Sequence, residues 1–150
     1  MGFDAHLKLD NQVCFALYAA ERAMTQAYRP LLDRLGLTYP QYLAMLVLWE
    51  QDRLTVGELG QRLYLDSGTL TPLLKRMETA RLVSRARRRG DEREVEIRLT
   101  PSGRALKRRA RTVPRDILCR AGDTGVDLPE LRRDLKKVLV ALQASIRGGV

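Results

Sequence analysis

The clearest pattern in the chain lies in residues 64–77, where apolar side chains recur at the three- and four-residue spacing of an α-helix. The apolar stripe consists of Leu70, Leu73, Leu74 and Met77. Asp66 and Ser67 precede the stripe, and each can accept hydrogen bonds from the free N–H groups at a helix start. The other face carries short hydroxyls first and cations later: Ser67, Thr69, Thr71, Lys75 and Arg76. The pattern predicts an amphipathic helix with a polar, exposed N-terminal half.

Two further helices are predicted directly before this one. Residues 38–41 and residues 55–58 each have a Thr followed three positions later by Gln or Glu, which is the sequence of a capping box. The helix after the first box is predicted to bury Leu43, Leu46, Val47 and Trp49, and the helix after the second to bury Leu59 and Leu63. Helix, tight connection and helix is the helix-turn-helix arrangement, whose second helix reads base edges in the DNA major groove. An ordinary amphipathic helix in a core is the alternative.

The hydrophobic period changes from helical to alternating after residue 82. Val95, Ile97 and Leu99 alternate with charged residues, which predicts a strand with one buried face and with Glu94, Glu96 and Arg98 on the other face. Residues 82–87 form a weaker partner strand, and residues 88–92 form a charged hairpin tip. Six arginines lie between positions 81 and 93. A basic hairpin directly after a helix-turn-helix predicts the winged form, in which arginines contact phosphates or the minor groove. A solvated charged loop is the alternative.

Long helices are predicted at both ends of the chain. The first is expected over residues 10–36, capped by Asp10 and kinked near Pro30, and the second over residues 101–121, bent at Pro114. A last helix begins at Asp127 and carries one apolar stripe to residue 146, before a frayed Gly148-Gly149 tail. These helices have more apolar surface than one small domain covers. The pattern therefore predicts a homodimer, which would present two recognition helices to a two-fold DNA site.

The fold class is accordingly predicted as mainly α with a small β-hairpin wing. One domain is expected over residues 1–150, with a winged helix-turn-helix lobe at about 38–100 and dimerisation helices at about 10–36 and 101–147. The formal net charge of +9 favours a polyanionic partner, either nucleic acid or an anionic membrane surface. No apolar run is long enough to cross a bilayer and no signal peptide is recognisable, so we expect a cytoplasmic protein without membrane association. His6 and two distant cysteines have no metal-site spacing, and no cofactor is expected.

Several stretches of the sequence resemble a known family. The run DER at residues 91–93, followed by IRLTPSG at residues 97–103, resembles the MarR family of winged-helix repressors. LYLDSGTLTPLLKRME at residues 63–78 is more specific, and together with residues 9–24 and 35–50 it resembles the organic hydroperoxide resistance regulators (OhrR). The resemblance covers about residues 9–145. It implies a homodimeric transcriptional repressor that binds pseudo-palindromic double-stranded operator DNA and leaves it when an organic hydroperoxide oxidises one cysteine.

The resemblance also assigns candidate roles to individual residues. By position, Cys14 matches the reactive cysteine, and Cys119 matches the second cysteine of a subgroup that forms an intersubunit disulfide. Tyr28 and Tyr39 match two tyrosines that hydrogen-bond the reactive sulfur from the partner subunit. Asp91 and Arg93 match the wing pair, of which Arg93 enters the minor groove.

The residues themselves agree with part of this mechanism. Cys14 is expected in the first turns of its helix, where the helix dipole stabilises a thiolate, the form that attacks a peroxide. Tyr28 lies fourteen residues further on, about 21 Å along a continuous helix, so a contact with Cys14 would have to come from another subunit. A small buried side chain is the alternative for Cys14. A disulfide requires Cα atoms within about 7 Å, so pairing with Cys119 could require its helix to move.

DNA contacts are expected from two elements. Ser67, Thr69, Thr71 and Arg76 would contact the major groove, Arg93 the minor groove with Asp91 orienting it, and Arg85 a phosphate. The arginines between residues 104 and 115 are read as a solvated face. Three other functions stay open: a thiol peroxidase, a repressor gated by an aromatic ligand, and a non-specific architectural DNA protein. The sequence does not give the operator, the regulated genes or the preferred hydroperoxide.

Overall fold

The computed structural model describes residues 3–148, with Phe3 and Glu92 described by their backbone alone. The chain forms two compact units, residues 1–117 and residues 118–150. Among the described residues, no helix is long and apolar enough to cross a membrane. Two short 3-10 turns, Phe3–Leu7 and Leu9–Asn11, precede the following elements: α1 (Val13–Asp33), α2 (Tyr39–Glu50), β1 (Leu54–Thr55), α3 (Val56–Leu63), α4 (Ser67–Thr79), β2 (Val83–Arg88), β3 (Asp91–Leu99), α5 (Pro101–Ala110), α6 (Val113–Ala121) and α7 (Leu128–Arg147). The predicted class, mainly α with a small β-hairpin, is confirmed.

The predicted helix near residues 64–77 is α4. Asp66 is its N-cap, and its carboxylate accepts a hydrogen bond from the backbone N–H of Thr69 at 2.7 Å, whereas Ser67 is the first helical residue. The predicted inner face is buried, with Leu70, Leu73, Leu74 and Met77 all at most 4% exposed. Pro72 lies inside the helix.

Both predicted capping boxes are present. Thr38 and Gln41 exchange hydrogen bonds at the start of α2, and Thr55 and Glu58 do so at the start of α3. The predicted buried face of α2 is confirmed at Val47 alone, since Leu46 is exposed and Leu43 and Trp49 are only half-buried. The reason is that α2 packs against α1, α3, α4 and α5, so its buried residues surround most of the helix: Tyr42, Ala44, Met45, Val47 and Leu48.

The wing is an antiparallel sheet of three strands in the order β1-β3-β2. Arg88 pairs with Asp91, so the hairpin tip consists of Arg89 and Gly90 alone and is shorter than the predicted 88–92. Gly90 has φ of +100°, a conformation that glycine adopts without strain. The short strand β1 is an addition that the sequence did not predict, and it pairs with the base of β3.

Glu96 corrects the predicted alternation of β3. It was expected on the exposed face but is only 7% exposed. It pairs with Thr55 of β1, which covers this edge of β3. Its carboxylate is 2.6 Å from the Arg98 guanidinium and 3.9 Å from that of Arg88, so the buried charge is compensated.

The first terminal helix begins later than predicted. Asp10 lies in a 3-10 turn, and Gln12 precedes α1 without a side-chain cap, so Cys14 is the second residue of the helix. The helix ends at Asp33, and Gly36 follows with φ of +69°.

The predicted helix over residues 101–121 is in fact two helices, α5 and α6, separated at residues 111–112. The physical reason is Pro114, which has no N–H to donate to the carbonyl of Ala110, the last residue of α5. The following helix, α7, begins as predicted after Asp127, which accepts a hydrogen bond from the N–H of Glu130 at 2.8 Å. Gly148 is its C-cap, and Gly149 lies outside the described residues.

Large apolar side chains remain exposed on the terminal helices. On α1, Val13 is 72% exposed and Tyr18 58% exposed, whereas Leu31 and Leu32 at its other end belong to the core. On α7, exposed apolar residues follow one another along the whole helix: Leu128, Leu131, Leu135, Val138, Val140, Leu142 and Ile146. Each unit therefore carries an apolar surface that the single chain leaves in water.

Candidate functional site

The exposed face of α4 carries the four side chains predicted to contact bases. Ser67, Thr69, Thr71 and Arg76 are all exposed. The turn before α4 is tight, because a Cβ at Gly60 would lie 2.7 Å from the backbone carbonyl oxygen of Leu65. Helix α3, this turn and α4 therefore form a compact helix-turn-helix whose second helix presents hydroxyls and one guanidinium to solvent.

The wing residue Arg93 is exposed on the first part of β3. Its backbone N–H donates to Oδ1 of Asp91 at 3.0 Å. Asp91 therefore fixes the backbone at Arg93.

Other arginines of the wing are engaged within the protein. Arg88 Nη1 donates to Glu94 Oε2 at 3.2 Å. Arg85, predicted to contact a phosphate, forms a bidentate salt bridge with Glu78 of α4. Its Nε donates to Oε2 at 3.2 Å, and its Nη2 donates to Oε1 at 3.3 Å. This guanidinium donates to the Glu78 carboxylate and so holds the pKa of Glu78 below its usual value. Arg85 thus braces the wing against α4.

A cleft of about 410 Å³ lies between α4, the start of α3 and the wing. It brings together three of the residues predicted from sequence, namely Thr71, Arg85 and Arg93. The sequence analysis assigned no site role to the residues that complete the wall, which are Thr55, Val56, Gly57, Glu94 and Val95. The capping box at Thr55 was the available signal, because it placed a helix start beside the recognition helix.

Three tyrosines form a cluster where α1 meets the start of α2. The ring centroids of Tyr28 and Tyr39 are 4.8 Å apart, and Tyr42 lies 5.9 Å from Tyr28 and 6.5 Å from Tyr39. Sequence reasoning identified the first two and missed Tyr42, although it follows Tyr39 at helical spacing. Burial raises the pKa of all three phenols, that of Tyr42 to about 12. At neutral pH they are O–H donors, which is the form that can stabilise an anion.

The two cysteines are both exposed and not linked to one another. Cys14 lies in the first turn of α1, and Tyr28 lies in the same continuous helix. Fourteen residues separate them by about 21 Å along the axis, so the structure does not bring Cys14 to the tyrosine cluster of its own chain. Cys119 is in α6, within the unit that comprises residues 118–150.

Comparison with known proteins gives consistent results. The family described as transcriptional regulator SarA/Rot matches residues 26–110. The organic hydroperoxide resistance transcriptional regulator of Bacillus subtilis (strain 168) is 53% identical over 137 residues, which are 91% of this chain and 93% of that protein.

Solved structures extend the similarity to the fold. Reduced AbfR bound to DNA has a TM-score of 0.79 and 33% identity, and the match covers 95% of this chain and 97% of AbfR. AbfR, from Staphylococcus epidermidis, has also been solved overoxidised on DNA and with a disulfide formed. The M. tuberculosis regulator MOSR in complex with DNA has a TM-score of 0.80 and 30% identity, covering 89% of this chain and 98% of MOSR.

Proposed function

Because the chain belongs to the MarR-type family of winged-helix transcriptional regulators, we propose that it is a homodimeric repressor that leaves its operator DNA when an organic hydroperoxide oxidises Cys14. It is a regulator and not an enzyme, as its relatives are named regulators. The α4 hydroxyls would read bases in the major groove, and Arg93 would enter the adjacent minor groove. The main support for this proposal is the position of Cys14 on α1. The thiol is exposed at the start of the helix, and the cluster of neutral phenols that includes Tyr28 lies toward its other end.

A contact between Cys14 and this tyrosine cluster would require a second subunit. One protomer would supply Cys14 at the start of its α1, and its partner would supply Tyr28 and Tyr39. The exposed apolar residues on α1 and α7 supply surface for such a dimer. Phenol O–H donors and the N-terminal end of the helix would both stabilise the thiolate in this arrangement.

The proposed chemistry is a two-electron oxidation of sulfur. The Cys14 thiolate attacks one peroxide oxygen, the O–O bond breaks, and the products are a sulfenic acid and an alkoxide that takes up a proton. The thiol of Cys119 in the partner then attacks the sulfenic sulfur, forming a disulfide and releasing water. Thiols restore the reduced protein, whereas a second hydroperoxide would produce the sulfinic acid, which thiols do not reduce.

Fluorescence anisotropy on the DNA upstream of the gene tests this proposal. Wild type, Cys14→Ser and Cys119→Ser are titrated with an organic hydroperoxide, and each sample is run on a non-reducing gel. We expect release of the wild type, continued binding of Cys14→Ser, and a crosslinked dimer band only when both cysteines are present. Release that does not depend on Cys14 would contradict the redox mechanism.

One observation favours a second candidate, a repressor gated by an aromatic acid. A cavity of about 460 Å³ lies between α2 and the α5–α6 region, with Tyr42, Leu46 and Trp49 on one side and Lys107 and Arg111 on the other. Glu50 also lines this cavity. The combination of two aromatic rings with two cations suits an aromatic carboxylate. Release by such an acid that persists in Cys14→Ser would identify this function.

A further inference from the structure

The carboxylate of Asp52 holds the base of the wing, and this residue takes no part in the oxidation chemistry proposed above. Asp52 follows α2, and its Oδ1 accepts the backbone N–H of Leu99 at 2.8 Å, at the end of β3. The same oxygen accepts the N–H of Arg53 at 2.8 Å. Its Oδ2 is 3.2 Å from Nη2 of Arg104 on α5. One carboxylate therefore joins the end of α2, the end of the wing strand and α5.

Further hydrogen bonds tighten this junction, which we call the Asp52 clasp (Asp52, Leu99 and Arg104). Nη2 of Arg104 also donates to the carbonyl of Leu99 at 3.2 Å, so Asp52 and Arg104 hold both backbone groups of that residue. Beside the clasp, Trp49 Nε1 donates to the carbonyl of Gly103 at 2.9 Å, and Lys107 Nζ donates to the carbonyl of Trp49 at 3.0 Å. The end of α2 and the start of α5 are thus linked at several points.

The chain around Asp52 is shaped for this contact. Arg53 has φ of +64°, a left-handed conformation that costs a non-glycine residue energy and turns the chain directly into β1. β1 then pairs with β3, with Leu54 opposite Ile97. Partial burial alone would raise the pKa of Asp52, but the N–H groups of Leu99 and Arg53 and the Arg104 guanidinium outweigh it and hold that pKa below its usual value. The clasp therefore contains a charged carboxylate at neutral pH.

The clasp lies at the base of the wing, so a small rotation there displaces Arg93 near the tip by a larger distance. Six residues of extended strand separate Leu99 from Arg93, which is about 20 Å, so a rotation of about 5° at the base displaces Arg93 by about 2 Å. Donor–acceptor distances in N–H···O hydrogen bonds span only about 0.5 Å, so a displacement of about 2 Å would break a hydrogen bond from the Arg93 guanidinium in the minor groove. Among the residues whose side chains are described, neither Arg89 nor Gly90 at the hairpin tip makes a side-chain hydrogen bond to a helix. The Asp52 clasp and the Arg85–Glu78 pair, which lie nearer the base, therefore determine the direction of the wing.

We propose that Asp52 is a positioning residue for DNA recognition, which holds the wing at the angle at which Arg93 reaches the minor groove. This inference rests on the proposed DNA binding. It makes a counterintuitive prediction, because Asp52 is acidic. If charge alone mattered, removing a carboxylate from a DNA-binding protein would tighten binding. If Asp52 positions the wing, its removal weakens specific binding.

The test compares operator DNA with random DNA of equal length by fluorescence anisotropy, using Asp52→Asn. We expect the affinity for the operator to fall at least fivefold, while the affinity for random DNA is unchanged or slightly higher. Glu50→Gln is the matched control, because it removes the same charge only two residues before Asp52. The Glu50 carboxylate is exposed and pairs with Arg62, outside the clasp. This control variant should bind the operator like wild type.

A double variant tests whether the effect passes through Arg93. Asp52→Asn combined with Arg93→Ala should bind the operator within about twofold of Arg93→Ala alone, because a side chain that is absent cannot be misplaced. If Asp52→Asn instead damaged the fold in general, the double variant would bind the operator more weakly than Arg93→Ala alone. Operator binding by Asp52→Asn that equals or exceeds wild type, or losses that add in the double variant, would overturn the proposal.

Arg104→Lys gives an independent answer if Asp52→Asn does not fold. It keeps the net charge but loses the planar group that contacts Asp52 and Leu99 together. We expect the same selective loss on operator DNA, and unchanged operator binding would overturn the proposal. If wild type itself does not prefer the operator to random DNA, the proposed function fails, and that result is distinct from failure of the clasp.

Discussion

The rings of Tyr28 and Tyr39 lie 4.8 Å apart and are tilted by 39° to each other, which joins the C-terminal half of α1 to the first residue of α2. Tyr42 completes the cluster at 5.9 Å from Tyr28. The partial burial of these phenols disfavours their phenolate forms and raises the pKa of each. Neighbouring tyrosines raise the pKa of Tyr28 and Tyr42 further, and the Glu21 carboxylate does so for Tyr39. The cluster is therefore a group of neutral hydrogen-bond donors over the whole physiological pH range.

The tyrosine cluster should make stability fall at alkaline pH. The pKa of Tyr42 is raised from 10.0 to about 12 in the folded protein. A raised pKa means that the folded state favours the protonated phenol, so this contribution is complete below pH 10 and is lost as the pH rises toward 12. Denaturant unfolding across this range should show the loss in wild type, with a smaller loss in Tyr42→Phe. Phenolate absorbance should show Tyr42 ionising last; ionisation of every tyrosine near pH 10 would contradict this prediction.

Mixed dimers would test whether the tyrosines act across the subunit interface. In a dimer of Cys14→Ser with Tyr39→Phe, the remaining Cys14 faces an intact Tyr39 of the other chain. We expect it to react with hydroperoxide at the wild-type rate. In a dimer of the double variant Cys14→Ser/Tyr39→Phe with wild type, the remaining Cys14 faces Phe, and loss of a hydrogen bond to the thiolate should slow the reaction about tenfold.

The rates are measured by loss of the free thiol in a stopped-flow instrument. The two mixed dimers contain the same substitutions and differ only in their distribution between the chains, so each is the control for the other. Equal rates would exclude a contact between Cys14 and the partner's Tyr39.

Local signals allowed much of this fold to be predicted from sequence. The boxes at Thr38 and Thr55 and the cap at Asp66 depend on residues three positions apart, so the sequence displays them directly. The burial of Glu96 was not predictable from its own strand, because it depends on its β1 partner Thr55, which lies 41 positions earlier in the chain. The sequence predicted one helix with a bend at Pro114, whereas the structure has two separate helices, α5 and α6.

In the candidate site, too, local features were predictable from sequence and contacts between separate segments were not. The sequence identified exposed side chains on α4 and on the wing, because their spacing and polarity are local properties. It could not show that Arg85 is already engaged by Glu78, or that Asp52 holds Leu99 from 47 positions away. Such contacts between distant segments decide which charged residues are free for DNA.

Arg93→Ala should weaken operator binding by about 1–3 kcal/mol, as expected when an arginine is removed from a narrow minor groove. The slope of log affinity against log salt should also become shallower by about one unit. Arg108→Ala is the control, because Arg108 is an exposed arginine on α5, outside the α4–wing cleft, and its removal changes the net charge equally. Anisotropy titrations at several salt concentrations distinguish the two. Equal effects of both substitutions would mean that the wing makes no specific contact.

Gly103 should be required for folding, although it lies inside a helix. Replacing a helical glycine with alanine normally stabilises a protein by about 0.5–1 kcal/mol. Here a Cβ would lie 2.1 Å from the carbonyl oxygen of Leu82, a backbone atom that cannot turn aside. The same carbonyl accepts hydrogen bonds from the N–H and hydroxyl of Thr100, which hold it in place. Gly103→Ala must therefore separate α5 from the start of the wing, and we expect a loss of about 3 kcal/mol or more in the free energy of unfolding.

Gly57→Ala is the matched control for this prediction. It places the same methyl group in α3, where the nearest atom, Oγ1 of Thr55, is 4.0 Å away. Because the helix has room for the methyl group, Gly57→Ala should leave stability unchanged or raise it by up to about 1 kcal/mol. Urea denaturation followed by circular dichroism measures both variants under the same conditions. If Gly103→Ala proves as stable as Gly57→Ala, then α5 and the wing base are not held in the close contact on which the Asp52 clasp also depends.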